Sequence, residues 1–416
     1  MPDTLRAAAL CCTTHTAFDR AHRWASNQGR SAWLIPAGDW QQLATLLRDQ
    51  PDVVVLTDRP EDPRLAAWSP IDVASLPEAA DWPTAAPQPL ALLFTSGSTG
   101  APSAQAKTLE RLRTELAAVI EVLGPSLNGA RFVTTLPLEH TFGYSFAYWL
   151  PRLAGAECVP ERVVTPARLR RLGQDSDRPL WLITTPVHMK SCVELGLRVA
   201  NVAGVVSATS PLSSELARAA AHCFGVPITE CYGSTETGSI AFRQRHVDEQ
   251  VMPPWQPLPG GCVLPQGEGH AFVAPHLPGP VPLADLLEPC GDGFHIIGRQ
   301  GDLLKVFGKR HSLAALNQKL SALPMVADAA YFMPEPGERA EADRPAAVVV
   351  LRPGHAPQEV LDALRGTVDD VFLPRPLIVA DSLPRNAAGK LRRADLLALL
   401  QQGQSSEPAA AVADIH

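Results

Sequence analysis

The sequence predicts an α/β protein: a large N-terminal domain built on parallel sheets, then a small, mobile α+β domain at the C-terminal end. Three observations lead there. Short apolar runs, Val53–Leu56, Leu90–Phe94, Leu180–Thr184 and Val202–Ser207, alternate with segments of helical period, the pattern of a covered parallel sheet. The pattern restarts at Leu303 with roughly 100 residues to go, enough for a second compact unit. The 416 residues allow two or three domains, and 40 prolines punctuate a loop-rich architecture.

Residues 1–60 read as α/β, with a helix at Leu43–Leu47 and a buried strand at Val53–Leu56. Residues 59–89, rich in Pro and Ala, read as a connection. Leu90–Phe94 is a buried strand that empties into Thr95-Ser96-Gly97-Ser98-Thr99-Gly100-Ala101-Pro102. Glycines let backbone approach a polyphosphate closely, and N–H and O–H groups can point at its oxygens. The Gly-Lys-Ser/Thr ending of the common nucleotide loop is missing. Thr108 caps a helix with Glu110 in its first turn, and Leu109, Leu112, Leu116, Val119, Ile120 and Leu123 form its apolar stripe. Phe132–Leu136 is a strand, a helix separates Leu180–Thr184 from Val202–Ser207, and Ser213–Cys223 is helical. Residues 253–290, rich in Pro and Gly, suit a small β-subdomain. In the second unit Leu313–Leu320 and Val360–Val368 are helical and Ala346–Leu351 is a strand. Residues 402–416 read as a flexible tail, and there is no internal repeat.

Composition narrows the function. Hydrophobic residues at 46% and charged residues at 19% are ordinary for a globular protein, and a net charge of −7 argues against a nucleic-acid partner. The eight cysteines show no CxxC or paired metal spacing, the pattern of reduced cytoplasmic thiols, and Cys11-Cys12 is ill-placed to bridge. The 12 histidines contain no HExxH, so no zinc site is expected. Neither a signal peptide nor a membrane span is expected.

Five segments, in order, resemble the adenylate-forming superfamily of acyl- and aryl-CoA synthetases, peptide-synthetase adenylation domains and luciferases. They are Thr95–Pro102, Leu136–Gly143, Tyr232–Gly238, Gly298–Asp302 with Lys305 and Gly308, and Pro384–Lys390. The resemblance implies ATP and Mg²⁺ as cofactors and places Thr95, Ser96, Gly97, Ser98, Thr99 and Gly100 around the phosphates. It implies that Thr235 contacts the α-phosphate, Glu236 helps hold Mg²⁺, and Tyr232, beside Gly233, stacks on adenine. Asp285 would bind ribose, with Asp292 in a Gly-Asp-Gly turn as the alternative, and Arg299 would reach the second ribose hydroxyl. Lys390 would swing in to bridge the substrate carboxylate and the α-phosphate. His140, in the aromatic motif, would flank the acid and gate the thiol.

Two departures stand out. The place after the loop proline, where the superfamily carries lysine, holds Ser103, with Lys107 four residues on and able to reach back. The segment before the loop is shorter than is usual in the superfamily. Both features are similar to the aryl-acid:acyl-carrier-protein ligases of bacterial aryl-polyene and xanthomonadin-type pigment pathways.

That narrower likeness implies a hydroxybenzoate substrate, lined by His140, Phe142, His188, Ser207, Ala208, Thr209 and Ser234. It also implies transfer to the phosphopantetheine thiol of an acyl carrier protein, helped by the basic set Arg375, Arg385, Arg392 and Arg393. An aryl- or acyl-CoA ligase is the first alternative. A non-catalytic ATP-binding regulatory protein is the second, against which the complete set Thr235, Glu236 and Lys390 argues. The implied division is 1–298 for ATP and acid, a hinge at 299–302 about Gly301, and a mobile lid at 303–401.

Overall fold

The computed structural model describes residues 6–35, 40–48, 50, 52–78, 81–83, 89–96, 102–267, 269–299, 303–334, 344–385, 391 and 393–405. The chain divides into two compact units. The first takes most of residues 1–264 with 271–281 and 290–293; the second takes 265–270, 282–289 and everything from Phe294 on.

Two sheets organise the first unit. The first comprises β1 (Ala7–Cys11), β2 (Ser31–Leu34), β3 (Val54–Thr57), β4 (Ile71–Asp72), β5 (Ala91–Ser96) and β6 (Pro102–Lys107), in the order β4-β3-β1-β2-β5-β6. β1 to β5 run parallel, and β6 returns antiparallel on β5 with Thr95 opposite Ser103 and Ala91 opposite Lys107. Residues 59–89 therefore do more than connect, since they add β4 to the sheet edge. Asp58, just past β3, accepts hydrogen bonds from the backbone N–H and hydroxyl of both Thr13 and Thr14. Thr14 in turn caps α1 (His15–Asn27), its Oγ1 accepting from Ala17 N–H at 3.2 Å. A second helix, α2 (Trp40–Leu47), follows β2.

The second sheet has β7 (Arg131–Thr134), β8 (Glu157–Arg162), β9 (Leu180–Thr184), β10 (Val202–Ser207), β11 (Ile228–Ser234), β12 (Gly238–Arg245) and β13 (Gln256–Pro257), ordered β13-β12-β11-β10-β9-β7-β8. β7 to β11 are parallel, and β12 returns antiparallel on β11. Thus each parallel sheet carries a tight antiparallel return at one of the segments that the sequence singles out.

α3 (Leu109–Leu123) follows β6 and starts at Thr108, which accepts from Arg111 N–H. The short helix α4 (Leu150–Leu153) comes later in the chain. α5 (Pro166–Asp175), α6 (Pro186–Glu194) and α7 (Ser214–Phe224) cover one face of the second sheet around Leu182, Val205 and Phe224. Ser213, expected as the first helical residue, instead caps α7, its hydroxyl accepting from Leu216 N–H.

Before α4, Gly143–Trp149 forms a π-helix, entirely buried, with no counterpart in the apolar periodicity. Gly143 opens it because a Cβ there would lie 2.0 Å from the Pro137 carbonyl oxygen. The π-helix is fixed from α1. His22, fully buried, hydrogen-bonds Tyr144 Oη at 2.7 Å, and its ring lies nearly parallel to those of Tyr144 and Tyr148, with centroids 5.6 and 5.7 Å away. Asp19 accepts from Tyr148 Oη and from Arg152.

Burial pushes the His22 imidazole down to about 4, so it is neutral in the native state. The unfolded chain takes up that proton below its ordinary value near 6.5. Native stability is therefore full above pH 6.5 and drains away between pH 6.5 and 4, by about 3 kcal/mol from this group. Denaturant midpoints at pH 7 and 4.5 measure the loss. His22→Gln should be less stable at pH 7 and have a flatter pH slope, and an unchanged slope would remove His22 as the cause.

Residues 262–299 supply short strands, among them β14 (Cys262–Gln266), β15 (Gly269–Val273), β16 (Val281–Leu283), β17 (Asp285–Cys290) and β18 (Gly293–Arg299), as the Pro/Gly-rich sequence suggests. The second unit continues with the hairpin β19 (Leu303–Val306) and β20 (Lys309–Ser312), then α8 (Leu313–Ser321), β21 (Val326–Phe332), β22 (Ala346–Leu351), α9 (Pro357–Arg365), β23 (Leu377–Val379) and α10 (Arg393–Ser405). β22 pairs antiparallel with β21 and parallel with β23 over a core of Leu316, Leu320, Tyr331, Val349, Val360 and Phe372. This is the small α+β unit that the restarted pattern predicts.

Candidate active site

Parallel α/β sheets bind ligands at the carboxyl ends of their strands. In the second sheet those ends carry Thr134-Thr135 at the end of β7, Thr184-Thr185 at the end of β9, Ser207-Ala208-Thr209 at the end of β10 and Tyr232-Gly233-Ser234 as the last residues of β11. The hydroxyls form a polar edge, with Thr135 Oγ1 3.0 Å from Thr184 Oγ1. Thr185 Oγ1 lies 3.0 Å from His188 Nδ1. The Ser207 hydroxyl is buried with no hydrogen-bond partner among the described residues. Thr209 sits at φ +80°, a region costly for a β-branched residue and one that concentrates at functional sites.

The lining residues named from the sequence have distinct surroundings. His188 is half-buried and borders a narrow crevice, with room for about one water, alongside Thr135, Thr184, Leu182 and Phe224; burial, then Arg162, lowers its pKa. Phe142 is buried on Phe146, ring centroids 4.7 Å apart. His140 Nδ1 accepts from Phe142 N–H at 3.3 Å, which sets the turn into the π-helix. Ala208 and Thr209 are half-buried.

The Ser234–Gly238 turn joins β11 to β12. Ser234 Oγ and Thr237 Oγ1 lie 3.0 Å apart, and Ser234 N–H donates to Thr237 Oγ1. Thr235 is half-buried and Glu236 exposed. Thr141 Oγ1 donates to Thr235 Oγ1 at 2.9 Å, joining the aromatic motif to this turn. Tyr232 is half-buried beside Trp255, whose ring centroid lies 5.6 Å away; Arg243 covers Trp255 at 4.2 Å and is held by Glu230 at 2.7 Å.

Ser103 stands opposite Thr95, whereas Lys107 stands opposite Ala91, about 13 Å further down the strand. It is buried; burial lowers its pKa, and the charges of Glu115 and then Glu236 oppose that. Glu115 lies on α3 in the apolar stripe, a position where a carboxylate has to find partners. The sequence signal for it was that one charge among Leu112, Leu116 and Val119.

In the second unit Arg299 Nε lies 3.8 Å from Asp285 Oδ1, so the two residues proposed for ribose share one place, while Asp292 is exposed in a turn. Arg385 grips Asp328 through Nε and Nη2 at 2.8 and 2.7 Å, and Arg393 donates to the Met333 carbonyl. Two members of the proposed basic set are thus engaged within their own unit. Arg385 also bridges Leu391, closing the ends of the segment that contains Lys390. Gly97, Ser98, Thr99, Gly100, Gly301, Lys390 and Arg392 lie outside the described residues, as do the side chains of Thr95 and Ser96.

All eight cysteines are free; burial, then Glu139, pushes the Cys11 thiol up to about 12, which makes it a poor nucleophile. No helix among the described residues is long and apolar enough to cross a membrane.

Residues 7–268 match the family model described as AMP-binding enzyme, and residues 316–390 match the AMP-binding enzyme C-terminal domain. The chain is 29% identical over 307 residues to a 4-coumarate–CoA ligase of Cereibacter sphaeroides, covering 71% of this chain and 69% of that protein. It is 25% identical over 413 residues to a 3-hydroxybenzoate–CoA/4-hydroxybenzoate–CoA ligase of Thauera aromatica, covering 87% and 76%. Among solved structures it resembles O-succinylbenzoate coenzyme A synthetase from Bacillus subtilis in complex with ATP and magnesium, with a TM-score of 0.79 at 20% identity over 93% of this chain and 88% of that one. With the family model spanning most of the first unit and a second model inside the other, the chain belongs to the AMP-binding enzyme family.

Proposed function

We propose that the protein uses ATP to activate an aromatic carboxylic acid, a hydroxybenzoate, and passes the acyl group to a thiol. A carboxylate oxygen attacks the α-phosphorus, the bond to pyrophosphate breaks, and an acyl-adenylate forms. The thiolate then attacks the acyl carbon and AMP leaves. The observation that carries this reading is the Thr141–Thr235 hydroxyl pair, because it sets the segment assigned to the acid against the segment assigned to the α-phosphate. The aromatic acids named for the two relatives support the substrate class.

Mg²⁺ fits the donors present. Glu236 offers one exposed carboxylate, and no group of three His, Cys, Asp or Glu side chains that could hold a metal exists among the described residues. Mg²⁺ is usually held this way, by one or two carboxylates plus substrate phosphates. When bound, it neutralises charge on the phosphate oxygens. Thr235 donates toward the α-phosphate, Tyr232 and the Asp285–Arg299 pair hold the nucleoside, and Lys390 brings charge to the reacting oxygens. Rotation of the second unit about residues 299–302 would then remove Lys390 and admit the thiol.

Coenzyme A is the acceptor that both relatives' names support. A carrier-protein phosphopantetheine arm is the second reading, supported by Ser103 where the superfamily carries lysine. The test is ATP–pyrophosphate exchange across a panel of acids, followed by direct competition between coenzyme A and a holo-carrier protein. Exchange driven by 3- or 4-hydroxybenzoate is expected, and no exchange with any aromatic acid would refute the proposal. Preferred acylation of the carrier protein, weakened by salt and by Arg375→Glu, would decide for the second reading.

A further inference from the structure

Lys107 and Glu115 have no role in the reaction as set out above, yet both are buried, at 7% and 3% exposure. Glu115 reaches from α3 to β12. Its Oε1 accepts from both Ser239 N–H and Ser239 Oγ at 2.8 Å. Its other oxygen fills the space beside Gly238, where a Cβ would lie 2.5 Å from Oε2, and Gly238 itself sits at φ +67°. The carboxylate is thus built into the foot of the Ser234–Gly238 turn. Lys107 is buried at the end of β6, and this carboxylate is the charge that acts on it most strongly, ahead of Glu236, with Arg111 a second cation close by. Removing Lys107 would leave the buried Glu115 carboxylate with one neighbouring positive charge fewer, Arg111 being the other cation close to this group.

We propose that Lys107 and Glu115 are positioning residues for the Ser234–Gly238 turn, and that together they set the direction in which Glu236 presents its carboxylate to magnesium–nucleotide. The proposal rests on the reading of Glu236 given above. It also ties the two sheets together, because Lys107 extends from the hairpin of the first and Ser239 belongs to the return strand of the second.

The experiment compares wild type with Lys107→Met, Lys107→Arg and Glu115→Gln. ATP binding is measured by calorimetry with Mg²⁺ and with EDTA, and hydrogen exchange is followed at the Ser239 amide. Lys107→Met and Glu115→Gln should each raise the Kd for ATP about tenfold with Mg²⁺, leave it within about twofold in EDTA, and speed Ser239 exchange. Lys107→Arg should stay near wild type, and the double variant should be no worse than the worse single one.

Tighter magnesium-dependent binding in Lys107→Met would mean a through-space charge effect and would overturn the proposal. An equal loss with and without the metal would mean direct phosphate contact and would overturn it too. Unchanged Ser239 exchange would do the same. Wild-type binding indifferent to Mg²⁺ would instead refute the Glu236 reading, leaving Ser239 exchange to decide whether the pair fixes the turn. If Glu115→Gln fails to fold, the two Lys107 variants decide the matter.

Discussion

Lys390→Ala is expected to reduce acyl-adenylate formation by roughly two to three decades, a barrier increase of about 3–4 kcal/mol, while ATP binding stays close to wild type. The transition state gathers negative charge where the carboxylate, the α-phosphate and the departing pyrophosphate meet. An ammonium with three rotatable donors can follow oxygens whose geometry changes; the planar fork of arginine cannot, so Lys390→Arg should rescue little. The ends of the surrounding segment are pinned by the Arg385–Leu391 bridge and by Arg385 on Asp328, which gives the lysine a fixed base from which to reach. Pyrophosphate exchange and calorimetric ATP binding, run side by side, are the check. Adenylate formation within about threefold of wild type would remove Lys390 from the chemistry.

Glu236→Gln is the other substitution with a large expected effect. The amide keeps the shape and loses the charge that a hard cation wants. Loss of even an outer-shell partner commonly costs roughly 10- to 100-fold in metal affinity or activity, and loss of a ligand should cost at least that at limiting magnesium. Raising magnesium should restore part of the rate, and the apparent affinity for the acid should move far less. A magnesium titration that superimposes on wild type would take Glu236 out of the site.

Much of this was legible in the sequence because local chemistry and tertiary context agree. Thr108 announces its helix as a capping residue and does cap it. Leu180–Thr184 and Val202–Ser207 are uninterrupted apolar runs because both become interior strands of the second sheet. The Tyr232–Gly238 segment was recognisable because its glycines and hydroxyls make a tight return that few sequences can form.

Other features left no local trace. The π-helix has no periodic signature, and its course is set by Gly143 meeting Pro137 and by rings arriving from α1. The sequence leaves open whether Lys107 reaches the phosphate loop, because distance along a strand says little about what lies across from it. The charges that act on Lys107, those of Glu115, Glu236 and Arg111, come from a helix, a turn and the same helix again, and sequence spacing does not reveal them. The basic set on the second unit looked like a free surface, since sequence gives no sign that Arg385 is spent on Asp328.

The stacking of His22 against Tyr144 and Tyr148 has a consequence for how short such an enzyme can be. The helix that carries this imidazole is the buttress of the wall from which the His140 segment hangs. A polypeptide starting after Gly29 would keep every motif by which the chain is recognised. It would nevertheless lose the partner of a buried phenol, and an aromatic cluster would be opened to water. Homology-guided trimming would discard those residues as peripheral, and the damage would surface in acid turnover, far along the chain from the cut.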